Sequence, residues 1–325
     1  MDYVIGVDGG GTKTTGLLVD LEGRILAQRS VGPTNYQTVG EEGIRGEIPR
    51  LVSLLRADAR IPEKELASIA LGLAGVARPG EPERVTALVE ELHLARKVIV
   101  DHDAMIALVG ALSDEPGLIV IAGTGSIALG SNARGQRARA GGWGYLLGDE
   151  GSGFFVAREA LVAILKAHDG RGRKTPLTER ILAKLGLREV QEIIPRVYRQ
   201  GMGHDQMATL APLVFQAARE GEPVAREIVD RAGGELGLMA AAVIRRLGME
   251  GGVVKIALVG SLFRDKELLL EPIRAAVGGE LRVEFVEPRL GPVGGAAILG
   301  LKAVGVEVTP SVLKKLQGNP FSQKL

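Results

Sequence analysis

The chain opens on an apolar run, Tyr3-Val4-Ile5-Gly6-Val7, which is broken at Asp8-Gly9-Gly10-Gly11-Thr12 and resumes at Thr15–Val19. Short apolar runs bounded by Gly and Asp read as buried strands joined by tight turns. Glu22-Gly23 marks a second turn, and Arg24-Ile25-Leu26-Ala27 starts a third strand. The opening is therefore predicted to be a meander of strands and not a strand followed by a helix. Ile44, Ile48, Leu51 and Leu55 recur at helical spacing and predict a helix over about Glu42–Leu55; Val85, Leu88, Val89 and Leu92 mark another. Between and after them, Ile69–Leu73 and Lys97–Val100 read as strands, the second running into Asp101-His102-Asp103 and then a helix over Ala104–Leu112. This alternation predicts helices packed on a largely parallel sheet.

The pattern restarts at Gly117. Leu118-Ile119-Val120-Ile121 is followed by the turn Ala122-Gly123-Thr124-Gly125-Ser126, a second strand Ile127–Gly130, a turn over Ser131–Gln136 and a third strand. Strand, Gly-rich loop, strand, turn and strand thus occur twice, which predicts an internal duplication with the two loops facing a shared cleft. A helix is expected over Phe154–Ala167, a polar loop over Asp169–Lys174, several helices within Glu179–Leu247, strands at Val253–Leu258 and Arg282–Val286, and a final Ala/Leu helix after Gly291-Pro292-Val293-Gly294-Gly295. From about Gly318 the sequence reads as a frayed end.

Composition narrows the chemistry. Apolar residues make up 46% and charged residues 24%, the net charge is +1, and there is no cysteine. Disulfides, thiolate zinc sites, iron–sulfur clusters and cysteine nucleophiles are excluded. No basic block marks a nucleic-acid surface. No apolar stretch approaches the length that spans a bilayer, and no signal-like segment precedes the first strand, so the expectation is a cytoplasmic protein with no membrane partner. His93, His102, His168 and His204 lack metal-ligand spacing.

Four features carry candidate chemistry. The first Gly loop allows a polyphosphate to approach backbone N–H groups, with Thr12 and Lys13 adding a hydroxyl and a charge, and Asp8 suits a hydrated Mg²⁺. A tight hairpin with a capping Asp would use the same residues. It is not a Walker A loop, because counted from Gly6 the lysine comes one position late and no helix is predicted next. The second loop fits G-x-G-x-x-A through Ala128, but a strand is predicted where a dinucleotide site needs a helix, and no acid follows before Gly148. Asp103, between a strand and a helix, suits a general base for a hydroxyl nucleophile, or an N-cap. The stretch from Gly141 to Ser152 is dense in glycine and holds the only Trp, Trp143. It suits a loop that approaches a ligand closely, with Asp149 accepting from sugar hydroxyls, or a flexible connector with Asp149 as a cap.

Taken in order, Asp8-Gly9-Gly10-Gly11-Thr12, Asp103-Ala104, Gly123-Thr124-Gly125-Ser126 and Gly142-Trp143-Gly144…Gly148-Asp149-Glu150-Gly151-Ser152 resemble the N-acetylglucosamine kinase branch of the BadF/BadG-type ATPase family, within the sugar kinase/Hsp70/actin superfamily. The resemblance implies an α/β, actin-like (ribonuclease H-like) ATPase fold of two duplicated domains around a nucleotide cleft, 1–116 and 117–325, with the final helix packing back on the first. It implies ATP as co-substrate with Mg²⁺, phosphate contacts from Gly9, Gly10, Gly11, Thr12 and Lys13 and from Gly123, Thr124, Gly125 and Ser126, and an adenosine-side loop at Gly260-Ser261. Asp103 is implied as catalytic base, Asp8 as the Mg²⁺ carboxylate acting through water, and Asn35, Gly75, Asp103, Trp143, Gly144 and Asp149 as sugar contacts. The activity implied is phosphorylation, at O6, of N-acetylglucosamine by a homodimer. Glucosamine, N-acetylmuramic acid or glucose as acceptor, an ATPase switch without a sugar, and a dinucleotide enzyme built on Gly123–Ala128 are the alternatives.

Overall fold

The computed structural model describes residues 2–318 and divides into two compact units, Met1–Glu115 with Glu287–Leu325, and Pro116–Val286. In the first, β1 (Tyr3–Gly9), β2 (Thr14–Asp20) and β3 (Ile25–Val31) form the meander, followed by α1 (Tyr36–Ala59), β4 (Ser68–Leu73), α2 (Glu81–Glu90), β5 (Val98–His102) and α3 (Asp103–Leu112). In the second, β6 (Gly117–Ala122), β7 (Ser126–Ser131) and β8 (Arg137–Gly141) repeat the meander. Then come α4 (Gly153–His168), α5 (Leu177–Leu185), α6 (Ile193–Tyr198), α7 (His204–Ala208), α8 (Ala211–Arg219), α9 (Pro223–Arg246), β9 (Val253–Val259), α10 (Lys266–Val277) and β10 (Arg282–Val286). The chain ends in the first unit with α11 (Pro292–Ala303) and α12 (Pro310–Gln317).

The sheets are ordered β3-β2-β1-β4-β5 and β10-β9-β6-β7-β8. Each has one central strand, β1 or β6, with an antiparallel hairpin on one side and two parallel strands on the other. The two units therefore share one topology, as the repeated pattern predicts. The sheets are mixed and not largely parallel, because the tight Gly turns force antiparallel pairing in half of each.

Alternation along β1 explains how the first sheet is covered. Ile5 and Val7 join Leu18, Ile69 and Leu71 in a cluster with Ile44, Ile48, Leu51 and Leu55 of α1. Gly6 faces the other way, where a side chain would collide with the backbone of α11 at Ala297. Gly295 likewise lets α11 meet the Ile106 carbonyl of α3, and Ser68 Oγ donates to the Gly300 carbonyl at 2.7 Å. Small residues thus allow helix and sheet backbones to touch, and β1 is buried on both faces. In the second unit α9 lies on β6–β8, and α4, α8 and α10 pack around it in one large core.

Several boundaries differ from the sequence reading. Asp8 and Gly9 belong to the strand and not the turn, because β1 keeps partners on both sides to its end, at Thr15 and Gly72 for Asp8. The first helix starts at Tyr36, with Asn35 as its cap, and runs through a non-helical Gly40 at φ 61°. Helix α10 follows Asp265 where no helix was predicted, and the Ala/Leu helix is not the last, since α12 follows it. Thr309 caps α12, Pro310 begins it, and Val312 and Leu316 are buried. The end expected to fray from about Gly318 lies, beyond Gly318 itself, outside the described residues. No helix among the described residues is long and apolar enough to cross a membrane.

Candidate active site

In the first unit, β1 delivers Asp8 beside the loop over residues 10–13. Gly10 N donates to Lys13 O at 3.0 Å, which closes the turn, and the Gly10 carbonyl accepts from Thr34 and Asn35. Gly9 has no room for a side chain, which would collide with Thr34 Oγ1, itself bonded to the buried Thr14 hydroxyl at 2.8 Å. Gly11, Thr12 and Lys13 are exposed, and the N–H groups of Gly11 and Thr12 donate to no protein acceptor among the described residues. Such a row of free N–H groups beside a lysine is an anion-binding arrangement.

Burial pushes the Asp8 carboxyl up to about 6; the neighbouring Asp103 carboxylate adds to the rise, and Lys13 pulls against it. Asp103 is the first residue of α3 and is exposed, with Oδ1 accepting from Ala104 N at 2.8 Å. The N-cap is His102, whose Nδ1 accepts from Met105 N at 3.2 Å. Capping, the alternative explanation for Asp103, is thus performed by its neighbour.

Asn35 and Gly75 come together in the same unit. Asn35 Oδ1 accepts from Gln37 N at 3.0 Å, and a Cβ at Gly75, where φ is +82°, would sit 2.5 Å from that oxygen. The amide end of Asn35 faces the Gly loop, 3.8 Å from where a Gly11 Cβ would stand. Gln37, absent from the sequence reading, bonds Gly75 O at 2.7 Å and Glu81 at 2.7 Å.

In the second unit the Gly123–Ser126 loop is braced from below. Gly153 N and Phe154 N, at the start of α4, donate to Gly123 O and Thr124 O at 2.8 and 3.2 Å. Ser126 is a joint. Its N–H donates to Asp149 Oδ1 at 3.1 Å, its hydroxyl to Glu150 O at 2.6 Å, and its carbonyl accepts from Gly142 N at 3.0 Å. Both donors expected of Ser126 toward phosphate are therefore committed to the Gly-rich stretch. Asp149 is 8% exposed, adopts φ +59°, and lies under Gly125, whose Cβ would be 2.9 Å from its oxygens. Burial pushes its carboxyl above the ordinary range, against the pull of the Ser126 N–H and of His204. Trp143 is 66% exposed, and Gly144 follows at φ +82°.

Gly260, at φ +116°, passes so close to β6 that a side chain would collide with the Ala122 carbonyl. This brings Ser261 beside Gly123 and Thr124 at the mouth of a cavity of about 330 Å³, which Thr209, Pro212, Phe215 and Arg264 also line. Its volume is in the range of small-molecule sites. No local pattern marks the α7–α8 and Arg264 lining, because it becomes a wall only when the helices pack beside the loop.

Comparison with known proteins adds an independent line. The model of the BadF/BadG/BcrA/BcrD ATPase family matches residues 5–300. The chain is similar to an N-acetylmuramic acid/N-acetylglucosamine kinase of Clostridium acetobutylicum, 35% identical over 84% of this chain and 90% of that protein. It is similar also to an N-acetyl-D-glucosamine kinase of Dictyostelium discoideum, 36% identical over 77% of this chain and 81% of that one. Among solved structures, a putative N-acetylglucosamine kinase from Chromobacterium violaceum is 30% identical with a TM-score of 0.73, covering 93% of this chain and 99% of its own.

Proposed function

Since this chain belongs to the BadF/BadG/BcrA/BcrD ATPase family and has its two-unit actin-like fold, we propose that it transfers the γ-phosphate of ATP to the 6-hydroxyl of N-acetylglucosamine. It is an ATP-dependent carbohydrate kinase; the acceptor and the position are the proposal. The observation that carries the reading is Asp103, an exposed carboxylate beside Asp8 and freed from capping by His102. Asp103 accepts the proton of the attacking hydroxyl. Phosphoryl transfer needs little else from the protein but positioning and charge stabilisation.

The other residues fall into roles by unit. In the first, the N–H groups of Gly11 and Thr12, with Lys13, contact phosphate, Gly9 and Gly10 shape that turn, and Asn35 and Gly75 contact the sugar. In the second, Gly123, Thr124 and Gly125 present backbone to the phosphates, and the cavity beside Gly260-Ser261 takes the adenosine. Trp143, Gly144 and Asp149 serve the sugar. Asp8 fits a hydrated Mg²⁺, because a carboxylate buried beside a second carboxylate gains from a nearby cation, and Mg²⁺ favours one or two carboxylates plus phosphate oxygens. When bound, that ion supplies charge neutralisation at the phosphates. We place the enzyme in the cytoplasm as a homodimer.

The name of the Clostridium relative favours N-acetylmuramic acid as a second acceptor. A panel of N-acetylglucosamine, N-acetylmuramic acid, glucosamine and glucose with MgATP and coupled ADP detection tests the reading, and phosphorus–proton NMR of the product tests the position. Slow ATP hydrolysis that no sugar accelerates would refute it in favour of a nucleotide switch.

A further inference from the structure

We propose that Arg139 is a positioning residue for the acceptor sugar, fixing the Gly141–Gly142 turn and backing one face of Trp143 so that the opposite face of the indole is offered to the sugar ring. This rests on the reading above that the Trp143 loop takes the sugar. Arg139 lies on β8, the edge strand of its sheet, two residues before the turn. Its Nη1 donates to the carbonyls of both Gly141, at 2.9 Å, and Gly142, at 3.3 Å. The guanidinium carbon stands 4.3 Å from the centre of the Trp143 ring. Among the described residues this guanidinium pairs with no carboxylate, so its interactions all go to the turn and the indole. The Arg139 backbone is held as well, its carbonyl accepting from Arg246 Nη1 at 2.8 Å.

The turn needs such a clasp. Gly141 and Gly142 both have positive φ, +74° and +69°, where glycine keeps most freedom in the unfolded chain. Gly142 N is already tied to Ser126 O, so the turn is joined directly to the second Gly loop. The indole itself is 66% exposed and would otherwise sample several rotamers. A planar cation on one face removes that freedom and leaves the other face open. A pyranose carries an apolar face of C–H groups that suits a flat aromatic surface, with its hydroxyls left at the rim for carboxylates and amides. Lysine would keep the charge but could neither lie flat on the ring nor fork as arginine does.

Trp143 is the only tryptophan, so its emission reports this loop alone. The test compares wild type with Arg139→Leu, Arg139→Gln and Arg139→Lys by steady-state kinetics with N-acetylglucosamine and MgATP, and by acrylamide quenching of Trp143. The Leu variant is expected to raise the KM for sugar about tenfold while ATP KM and kcat move about twofold or less, as loss of one stacking and clasping contact implies. Its quenching constant is expected to rise, with Lys recovering part of both effects. Gln, which keeps one carbonyl bond, is expected to show the same KM rise and serves if the Leu variant fails to fold. Wild-type sugar KM and wild-type quenching in the Leu or Gln variant would overturn the role of Arg139. If instead saturating sugar leaves wild-type Trp143 emission unmoved while turnover proceeds, the placing of the sugar at this loop fails, and the proposal with it.

Discussion

Asp8 is the residue at which function should cost stability, and Asp8→Asn measures that cost. Its carboxyl is raised from 3.8 to about 6, first by burial and then by Asp103. The folded state therefore holds this proton more tightly than the unfolded chain does. Between about pH 4 and pH 6 the unfolded state has already lost the proton that the folded state keeps, so stability falls as pH rises through that window and levels off above it. A difference of about two pKa units corresponds to about 3 kcal/mol. Asn is close to isosteric and has no charge to desolvate, so the variant should be more stable than wild type by about 1–3 kcal/mol at pH 7.5 and about equal to it at pH 4. Lost attraction to Lys13 and imperfect amide bonding account for the lower figure. Guanidinium unfolding followed by far-UV circular dichroism across this pH range gives the profile. Hydrogen exchange of the β1 amides shows that the gain sits in the first unit. Millimolar Mg²⁺ should narrow the gap at pH 7.5, because a cation offsets the wild-type charge and has no such effect on the amide. Two parallel pH profiles, or a variant less stable than wild type throughout, would refute the reasoning.

Asp103→Asn is expected to lower kcat by about 10²–10⁴ with little change in nucleotide affinity measured by calorimetry, as loss of a general base implies. Gly260→Ala should abolish nucleotide binding measured by calorimetry, since the new side chain collides with the Ala122 carbonyl beside Gly123. Ser126→Ala should destabilise by about 1–2 kcal/mol in chemical unfolding, through loss of a buried bond to Glu150 O, and should loosen Asp149.

How legible this molecule is from its sequence depends on how local each constraint is. The glycines at 9–11, 123 and 125 announce themselves because glycine clusters between apolar runs mark hairpin turns. The repeated meander is legible for the same reason, and the strand orders of the two sheets match it. Asp103 shows the limit of local reading. An acid at a strand–helix junction is equally a cap or a base, and the bond from Met105 N to His102 gives the capping to the neighbour, which no local pattern announces. The wall of the cavity beside Ser261 lies further out of reach, because Thr209, Phe215 and Arg264 are ordinary helix and loop residues until packing gathers them. Helix α12 escapes notice because eight residues with two buried side chains carry too weak a periodicity.

Ser126 shows how a residue that a motif singles out for a ligand can have its polar groups engaged by the fold itself. Sequence treats Gly123–Ser126 as one phosphate loop. In the structure the glycines and the serine divide the labour. Gly123 and Thr124 rest their carbonyls on the start of α4, while Ser126 spends its N–H, hydroxyl and carbonyl on Asp149, Glu150 and Gly142. All three of those partners belong to the Trp143 stretch. A ligand that orders the Gly123–Ser126 loop must then also restrict the Gly142–Glu150 stretch, because every polar group of Ser126 joins the two. The coupling runs through three hydrogen bonds within one unit, and it gives a physical reason for glycine-dense backbone there: the stretch must follow the loop closely enough for its own N–H, carbonyl and carboxylate to reach one buried serine.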